Sequence, residues 1–230
     1  MRAHSVRVLS SILFVGLLAV ILAGCGSSTT GSQPSQSQPS TVQPQPPRKQ
    51  ANQAITILET TVAQRPSDVQ AHFALGTAYF DDGQFEDAIS QFSAVLNIDP
   101  SHLNAHANLG ASHFKTGNLP AARREFEAAR ALAPQDPEIL YNLGAVKLSM
   151  NDEAGALEDF RAAERLAPNL PEVHIGLGNL YLLRGDKGTG LKELQRALEL
   201  APNAPWRGII ESQILNAEQP LSPTTVTATP

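Results

Sequence analysis

The sequence predicts an all-α solenoid, a stack of similar helical hairpins, because three features recur every 34 residues. Prolines recur at this interval: Pro66, Pro100, Pro134, Pro168 and Pro202. Glycines fall between them at the same spacing: Gly76, Gly110, Gly144 and Gly178. A small residue follows each glycine after twelve positions and a large apolar one after sixteen, as at Ala88 and Phe92. Self-similarity at a fixed period of this length is the signature of a repeat array.

Each recurring residue type has a physical role in such a hairpin. Glycine has no side chain, so it lets two helices approach closely, and we expect the small residue to face it across the crossing. The large apolar residue is expected to fill the wedge between neighbouring units. Proline lacks a backbone donor and stops a helix, so each one ends a unit. Because one hairpin cannot bury its apolar face alone, the units must stack.

The pattern resembles the tetratricopeptide repeat family, which has a 34-residue helix–turn–helix unit with small residues at positions 8, 20 and 27. The units are counted from four residues: Val69, Leu103, Pro137 and Pro171. Position 8 is glycine and position 7 is leucine in all four units. Val95 at position 27, and His113 and Lys147 at position 11, depart from the family pattern. The resemblance covers roughly residues 69–204 and implies a right-handed α-solenoid of four hairpins.

Further segments flank the predicted repeats at 69–102, 103–136, 137–170 and 171–204. Residues 51–68 match a second helix without its first, so we expect an N-terminal half repeat, since terminal units of an array are atypical. Residues 205–218 have an apolar stripe at helical spacing. They predict a capping helix rather than a fifth unit, because Glu211 falls where a unit needs leucine. The predicted repeat domain is therefore 51–218, followed by a disordered tail at 219–230.

The first residues are typical of an exported lipoprotein. Arg2 and Arg7 precede an apolar run over 8–23, which is the build of a secretory signal peptide. The run ends in Leu-Ala-Gly-Cys, which resembles the lipobox of bacterial lipoproteins and implies removal of residues 1–24 and acylation of Cys25. An ordinary signal or an uncleaved transmembrane helix is the alternative, although the run is short against the roughly 20 residues that cross a bilayer. Cys25 is the only cysteine, which fits an acylation site better than a disulfide.

Residues 25–50 follow as a predicted tether rich in Ser, Pro and Gln, which cannot bury enough apolar surface to fold. The expected location is the extracytoplasmic side of the cell membrane or outer membrane, through the acyl anchor. In Gram-negative bacteria an Asp after the acylated cysteine commonly retains a lipoprotein in the inner membrane. Gly26 stands there instead, which favours the outer membrane if the organism has one.

Charge and motifs exclude several function classes. Removing residues 1–24 takes away two of the 17 basic residues and none of the 22 acidic ones, which leaves a net charge of −7. The sequence has no basic stripe, so nucleic acid is not an expected partner. It has no nucleophile motif, P-loop or dinucleotide fingerprint either. We therefore expect no enzymatic activity and no cofactor.

Histidines suggest one rival interpretation. His102, His106 and His113 are close in sequence, and a metal-dependent accessory enzyme that uses them is an alternative. No cysteine or carboxylate at fixed spacing completes a four-ligand set, however, so the sequence predicts no metal site. Position 4 of three units is histidine, at His72, His106 and His174, which we interpret as packing between helices.

The family resemblance implies that first helices line a concave groove through positions 2, 5, 9, 12 and 13. The predicted partner-binding groove is apolar and partly aromatic, with asparagines able to pair with a guest backbone or with local backbone groups. Its residues are Phe73, Thr77, Phe80, Ala107, Asn108, Ala111, Phe114, Tyr141, Asn142, Leu148, Ile175, Asn179 and Leu182. Phe73 at position 5 and Glu138 at position 2 disfavour the basic clamp that some members use for a C-terminal carboxylate.

Together these features predict a membrane-anchored scaffold or adaptor of the bacterial cell envelope that binds a polypeptide in the concave groove. Two other roles stay open beside the accessory enzyme. One is a pilotin-like assembly factor for a pilus or secretion complex, by analogy of layout alone. The other is a structural protein that stacks array on array.

Overall fold

The computed structural model describes residues 48–219, and within them it contains ten α-helices and no strand. The helices are α1 (Arg48–Gln64), α2 (Val69–Asp81), α3 (Phe85–Ile98), α4 (Leu103–Lys115), α5 (Leu119–Leu132), α6 (Pro137–Ser149), α7 (Glu153–Leu166), α8 (Pro171–Leu183), α9 (Lys187–Leu200) and α10 (Arg207–Glu218). Their most extensive contacts join α2 to α3, α4 to α5, α6 to α7 and α8 to α9. The all-α solenoid of stacked hairpins is therefore confirmed.

The two ends of the array carry single helices. Helix α1 packs on α2 and begins at Arg48, slightly before the predicted half repeat, whereas α10 packs on α9 and begins at Arg207. Ala54 of α1 is exposed, although its counterparts at position 20 are buried. The reason is that α1 has no first helix of its own to face. Ile55 is buried instead, because it lies on the side of α1 that meets the array.

Helix starts follow the local sequence. Asn118 and Asp136 cap α5 and α6. The Asn118 side chain accepts a hydrogen bond from Ala121 N at 3.3 Å, and the Asp136 side chain accepts one from Glu138 N at 2.9 Å. Such caps satisfy backbone N–H groups that have no partner inside the helix. Pro120 and Pro137 occupy the first turns of these helices, where a missing N–H costs nothing.

The turn inside each hairpin requires a left-handed backbone. Gly83, Gly117 and Gly185 have φ of +82°, +78° and +78° at equivalent positions of three hairpins. The remaining hairpin has Asn151 there, with φ of +63°, and it is the one positive-φ residue other than glycine in the described range. Asparagine tolerates this conformation better than most side chains. The repeat therefore keeps its geometry where it lacks the turn glycine.

The large apolar residue at position 24 lies between hairpins, as expected. Phe160 is 1% exposed, and a Cβ added to Gly144 of its own hairpin would lie 2.8 Å from its ring. A Cβ added to Gly176 of the next hairpin would lie 2.7 Å from the same ring. The Phe160 side chain thus fills the wedge between the two units, and both glycines leave room for it.

The array curves toward its first helices. Successive first helices, α2, α4, α6 and α8, contact one another directly, and they do so more than successive second helices do. Because neighbouring units lie closer together on this side, the first helices form the inner, concave face of the described array. The second helices, α3, α5, α7 and α9, form the outer face.

Candidate interaction surface

Most of the predicted groove residues lie beneath the inner face, not on it. Nine are buried: Phe80, Ala107, Asn108, Ala111, Phe114, Tyr141, Asn142, Leu148 and Ile175. Phe73, Thr77, Asn179 and Leu182 are partly exposed. The expectation of an accessible aromatic groove is therefore wrong for the buried residues, because most side chains at positions 5, 6 and 12 point into the contacts between helices. Phe80 packs edge-on against Phe85 of α3, with ring centroids 5.2 Å apart, and Tyr141 packs against Phe160 of α7.

The accessible part of the inner face is formed by positions 2, 9 and 13 of the first helices, and we call it the inner surface. Its side chains are mostly polar and small. They are Gln70, Thr77, Asp81, Asn104, Lys115, Glu138, Ala145, Ser149, Glu172, Asn179 and Leu183. Burial lowers the pKa of Lys115, which shows that this amine is partly desolvated. At the C-terminal end, Gln213 of α10 donates a hydrogen bond to Asn179, so the capping helix borders the inner surface.

Polar groups are buried at the middle of this face. Asn142 is 1% exposed, and neither atom of its side-chain amide has a hydrogen-bond partner within the described residues. One carboxyl oxygen of Glu172 is also buried there without a hydrogen bond to the described chain. Burial and the nearby charge of Glu172 raise the pKa of Tyr141, which places these two side chains close together. A buried polar group without a partner costs about 1–3 kcal/mol, so such groups normally pair with water or ligand.

The three histidines of the rival interpretation do not converge. His102 caps α4, where its Nδ1 accepts from Ala105 N at 3.1 Å. His106 lies 2.8 Å from the carboxylate of Glu125. The Nδ1 atom of His113 is buried without a hydrogen-bond partner. Among the described residues these side chains form no common metal-binding group, so the predicted cluster is not formed.

Histidines at position 4 instead bridge three of the four units to their preceding prolines. The Nδ1 atoms of His72, His106 and His174 lie 2.8 Å from a side-chain oxygen at position 23 of the same unit. Their Nε2 atoms lie 2.9–3.1 Å from the carbonyl oxygens of Pro66, Pro100 and Pro168. The sequence pattern alone indicated only packing at position 4. The recurring 19-residue spacing between the histidine and a Gln or Glu is the signal that could have found this bridge.

Position 11, where two units depart from the family pattern, carries polar contacts between helices. Tyr79 donates to Glu59 of α1 at 2.6 Å, and burial together with this hydrogen bond raises the pKa of Tyr79 to about 12. Tyr181 accepts from Arg161 of α7 at 2.8 Å. Lys147 lies 2.6 Å from Asp159 of α7. In three of the four units, position 11 therefore ties a first helix to a second helix, by a different pair in each.

No helix within residues 48–219 is long and apolar enough to cross a membrane. Cys25, the predicted signal peptide and most of the predicted tether lie outside the described residues. Their assignments stay predictions, as does the division of the chain into domains.

The chain matches two family models described as tetratricopeptide repeat. One matches residues 79–145, and the other matches residues 50–103 and 141–205. The second model alone therefore spans more than half of the chain. No curated protein matches the sequence.

Three solved structures illustrate the shared architecture. MamA from Desulfovibrio magneticus RS-1 is 24% identical, with a TM-score of 0.61 over 69% of this chain and 89% of that one. TTC0263, a thermophilic TPR protein from Thermus thermophilus, is 20% identical, with a TM-score of 0.61 over 74% and 91%. YrrB, described as a TPR protein with an unusual peptide-binding site, is 17% identical, with a TM-score of 0.57 over 72% and 85%. At these identities the likeness shows the fold alone.

Proposed function

Because this chain belongs to the tetratricopeptide repeat family, we propose that it is a membrane-anchored scaffold of the bacterial cell envelope that binds a polypeptide on its inner surface. Domains of this family bind peptide or protein partners, and their proteins are generally non-enzymatic scaffolds. The observation that carries the proposal is the polar inner surface of the concave face, whose accessible groups include the amides of Gln70, Asn104 and Asn179. An amide offers both a donor and an acceptor, which is what the backbone of a bound chain needs.

The inner surface also indicates the chemistry of the guest. Its accessible groups are polar, and Asp81, Glu138 and Glu172 supply negative charge against the single lysine Lys115. Of the aromatic rings that would grip an apolar guest, Phe80, Phe114 and Tyr141 are buried in the core and Phe73 is only partly exposed. A polar, donor-rich and preferably basic segment therefore fits this surface better than an apolar one. Charge complementarity of this kind favours specificity and fast association.

The proposed anchor places this surface near a membrane without fixing its orientation. Two or three acyl chains on Cys25 would hold the protein stably, whereas one chain gives only marginal binding. A flexible tether of this length spans about 25–30 Å r.m.s.. The repeat domain would therefore search a shell of space above the bilayer, which suits a scaffold that recruits a partner.

The binding proposal is tested with a matched pair of tryptophan substitutions. Ala145 is a partly exposed residue of α6 on the inner surface, and Ala154 is an exposed residue of α7 in the same unit. We expect Ala145→Trp to obstruct the surface and weaken capture of the partner from solubilised membranes at least tenfold, about 1.4 kcal/mol. Ala154→Trp should capture it normally. Equal capture by both variants, each with wild-type helicity and melting, would contradict binding on the inner surface.

The anchor is tested separately by Cys25→Ser. Metabolic labelling with a fatty acid should label the wild-type protein and not the variant, and mass analysis should find the wild-type N-terminus at an acylated Cys25. An unlabelled wild type that retains residues 1–24 would exclude the lipoprotein interpretation. That result would not bear on partner binding at the inner surface, so the anchor and the binding surface are tested independently.

A further inference from the structure

The junction between the third and fourth hairpins brings together three side chains with metal-ligand chemistry. Glu164 of α7, His174 of α8 and Glu193 of α9 each offer one ligand atom, and these atoms all lie within 4.8 Å of one another. The three side chains are largely shielded, with exposed fractions of 24%, 7% and 15%. They occupy position 28 of one unit and positions 4 and 23 of the next.

The other junctions show that this combination is particular to one place in the array. The equivalent residues of the first junction are Leu96, His106 and Glu125, so the third oxygen is missing there. The second junction has Arg130, Leu140 and Asp159, and its arginine and carboxylate form an ion pair at 3.6 Å. At the three junctions, position 28 therefore holds an apolar side chain (Leu96), a cation (Arg130) and a carboxylate (Glu164) in turn. Packing alone does not require the carboxylate.

The surroundings of His174 favour a cation in this slot. Its Nε2 lies 2.9 Å from the carbonyl oxygen of Pro168, which only accepts hydrogen bonds, so Nε2 carries a proton. Its Nδ1 lies 2.8 Å from a carboxylate oxygen of Glu193 and lies close to the second carboxylate, Glu164. At 2.8 Å, Nδ1 and the Glu193 carboxylate form an ion pair when the ring carries a second proton. A metal ion held between Nδ1 and the two carboxylates would take the place of that proton.

We propose that Glu164, His174 and Glu193 bind a divalent transition-metal ion, with Zn²⁺ as the ion that suits this ligand set. Zinc accepts imidazole nitrogen and carboxylate oxygen at about 2.0–2.2 Å, commonly with three protein ligands and a water. A zinc-bound histidine usually donates its other N–H to a carbonyl or carboxylate, as His174 donates to Pro168. The bound ion would join α7, α8 and α9 and so strengthen the junction between the third and fourth hairpins.

One contact competes with the ion. Arg161 donates to Oε2 of Glu164 at 2.6 Å. A carboxylate has two oxygens and about four acceptor positions, so Glu164 can serve the arginine and a metal together.

This proposed site differs from the sequence analysis, which predicted no metal site. The ligands were missed because they lie on three different helices, 10 and 19 residues apart, at spacings that match no known motif.

The test uses full-length protein freed of metal with a chelator and titrated with zinc chloride by calorimetry. We expect one equivalent to bind, with release of protons and a rise in melting temperature, because a ligand that binds only the folded state stabilises it. Glu164→Leu places in the slot the residue that the first junction already has. It should fold normally and weaken zinc binding at least tenfold, and the isosteric Glu164→Gln should do the same.

Two further variants use the first junction as an internal control. Glu125→Gln removes a carboxylate from a site that lacks its third ligand, so it should leave zinc binding unchanged. Leu96→Glu should complete a second set with His106 and Glu125 and raise the stoichiometry to two.

The proposal is overturned if zinc neither binds nor shifts the melting temperature. It is equally overturned if folded Glu164→Leu and Glu164→Gln bind zinc as tightly as wild type, since the ion would then lie on other histidines. A stoichiometry of one in Leu96→Glu would contradict the claim that these three positions suffice.

Discussion

At the scale of single residues, the fold depends on places where a side chain must be absent. A Cβ on Gly144 would lie 2.8 Å from two ring atoms of Phe160 and 3.3 Å from the carbonyl oxygen of Ala156. Two of these three contacts are with a ring that is locked between two hairpins, so it cannot move aside without opening the wedge. The glycines are therefore structural requirements of the repeat, as their 34-residue spacing indicated.

We expect Gly144→Leu to destabilise the protein by about 1–3 kcal/mol, because overpacking a close crossing forces side chains and backbone to shift. The matched control is Gly208→Leu in α10, where nothing lies within 4 Å of an added Cβ. That change should be neutral or stabilising, since a glycine inside a helix costs about 0.5–1 kcal/mol relative to alanine. Urea denaturation of both variants measures the difference. Equal midpoints would show that Gly144 does not lie at a helix crossing.

His113 gives stability a dependence on pH. Burial lowers the pKa of His113, with Glu125 acting in the opposite direction and Arg124 in the same one. The folded protein therefore binds a proton at His113 more weakly than the unfolded chain does, where a histidine has a pKa of about 6.5. The contribution of His113 is complete above that pH and is lost progressively as the pH falls below it.

Replacing His113 by leucine should remove this loss of stability at low pH. The free energy of unfolding of His113→Leu should therefore fall less steeply between pH 7.5 and pH 5 than that of the wild type. Denaturation series at several pH values test this, and His102→Leu, at a histidine that caps α4, serves as the comparison. Parallel curves for His113→Leu and wild type would mean that His113 is not desolvated in the folded state.

At the scale of helices, a buried ion pair links the middle of the array. Lys147 of α6 lies 2.6 Å from Asp159 of α7, with side-chain exposures of only 11% and 5%. Arg130 of α5 lies 3.6 Å from the same carboxylate. Removing one partner of a buried pair typically costs about 3–5 kcal/mol because a charge is left uncompensated. Replacing both by apolar side chains is often neutral.

Lys147→Met should therefore be destabilising, although by less than this because Arg130 still faces the Asp159 carboxylate, whereas the double variant Lys147→Met/Asp159→Leu should recover most of the loss. Urea denaturation of the two single variants and the double variant gives the coupling energy. The exposed pair Arg123–Glu127, 2.8 Å apart, is the control, and Arg123→Ala should leave the urea midpoint almost unchanged because solvent screens the pair. Additive effects of the two buried substitutions would contradict a coupled pair.

Helix positions and caps could be predicted from the sequence, because proline, asparagine and aspartate act on the backbone beside them. The turn glycines Gly83 and Gly185 could be predicted for the same reason. The bridge from His174 to Glu193 could have been found only from the 19-residue spacing that recurs across units, and the contact of Tyr79 with Glu59 could not be predicted. Those contacts depend on which faces of two helices meet and at what distance, and no local pattern contains that information.

At the scale of the whole molecule, the sequence indicated which helices line the concave face but not which side chains reach its surface. Phe80 and Tyr141 were expected to be open to a guest, yet they pack against Phe85 and Phe160 of the second helices. The curvature that places first helices inside also presses positions 5 and 12 into the core. The side chains that remain accessible on the inner surface are mostly polar, so a polar segment fits there better than an apolar one.

Site-specific photo-crosslinking in cells tests binding on the inner surface most directly. A crosslinking residue is placed singly at position 9 of three first helices, replacing Thr77, Ala145 or Asn179, which are all partly exposed. Matched controls replace Arg124, Glu158 or Lys192, which are exposed at position 22 of three second helices. We predict the same crosslinked partner from the first set and none from the second. Crosslinks to that partner from the outer positions alone would contradict the account.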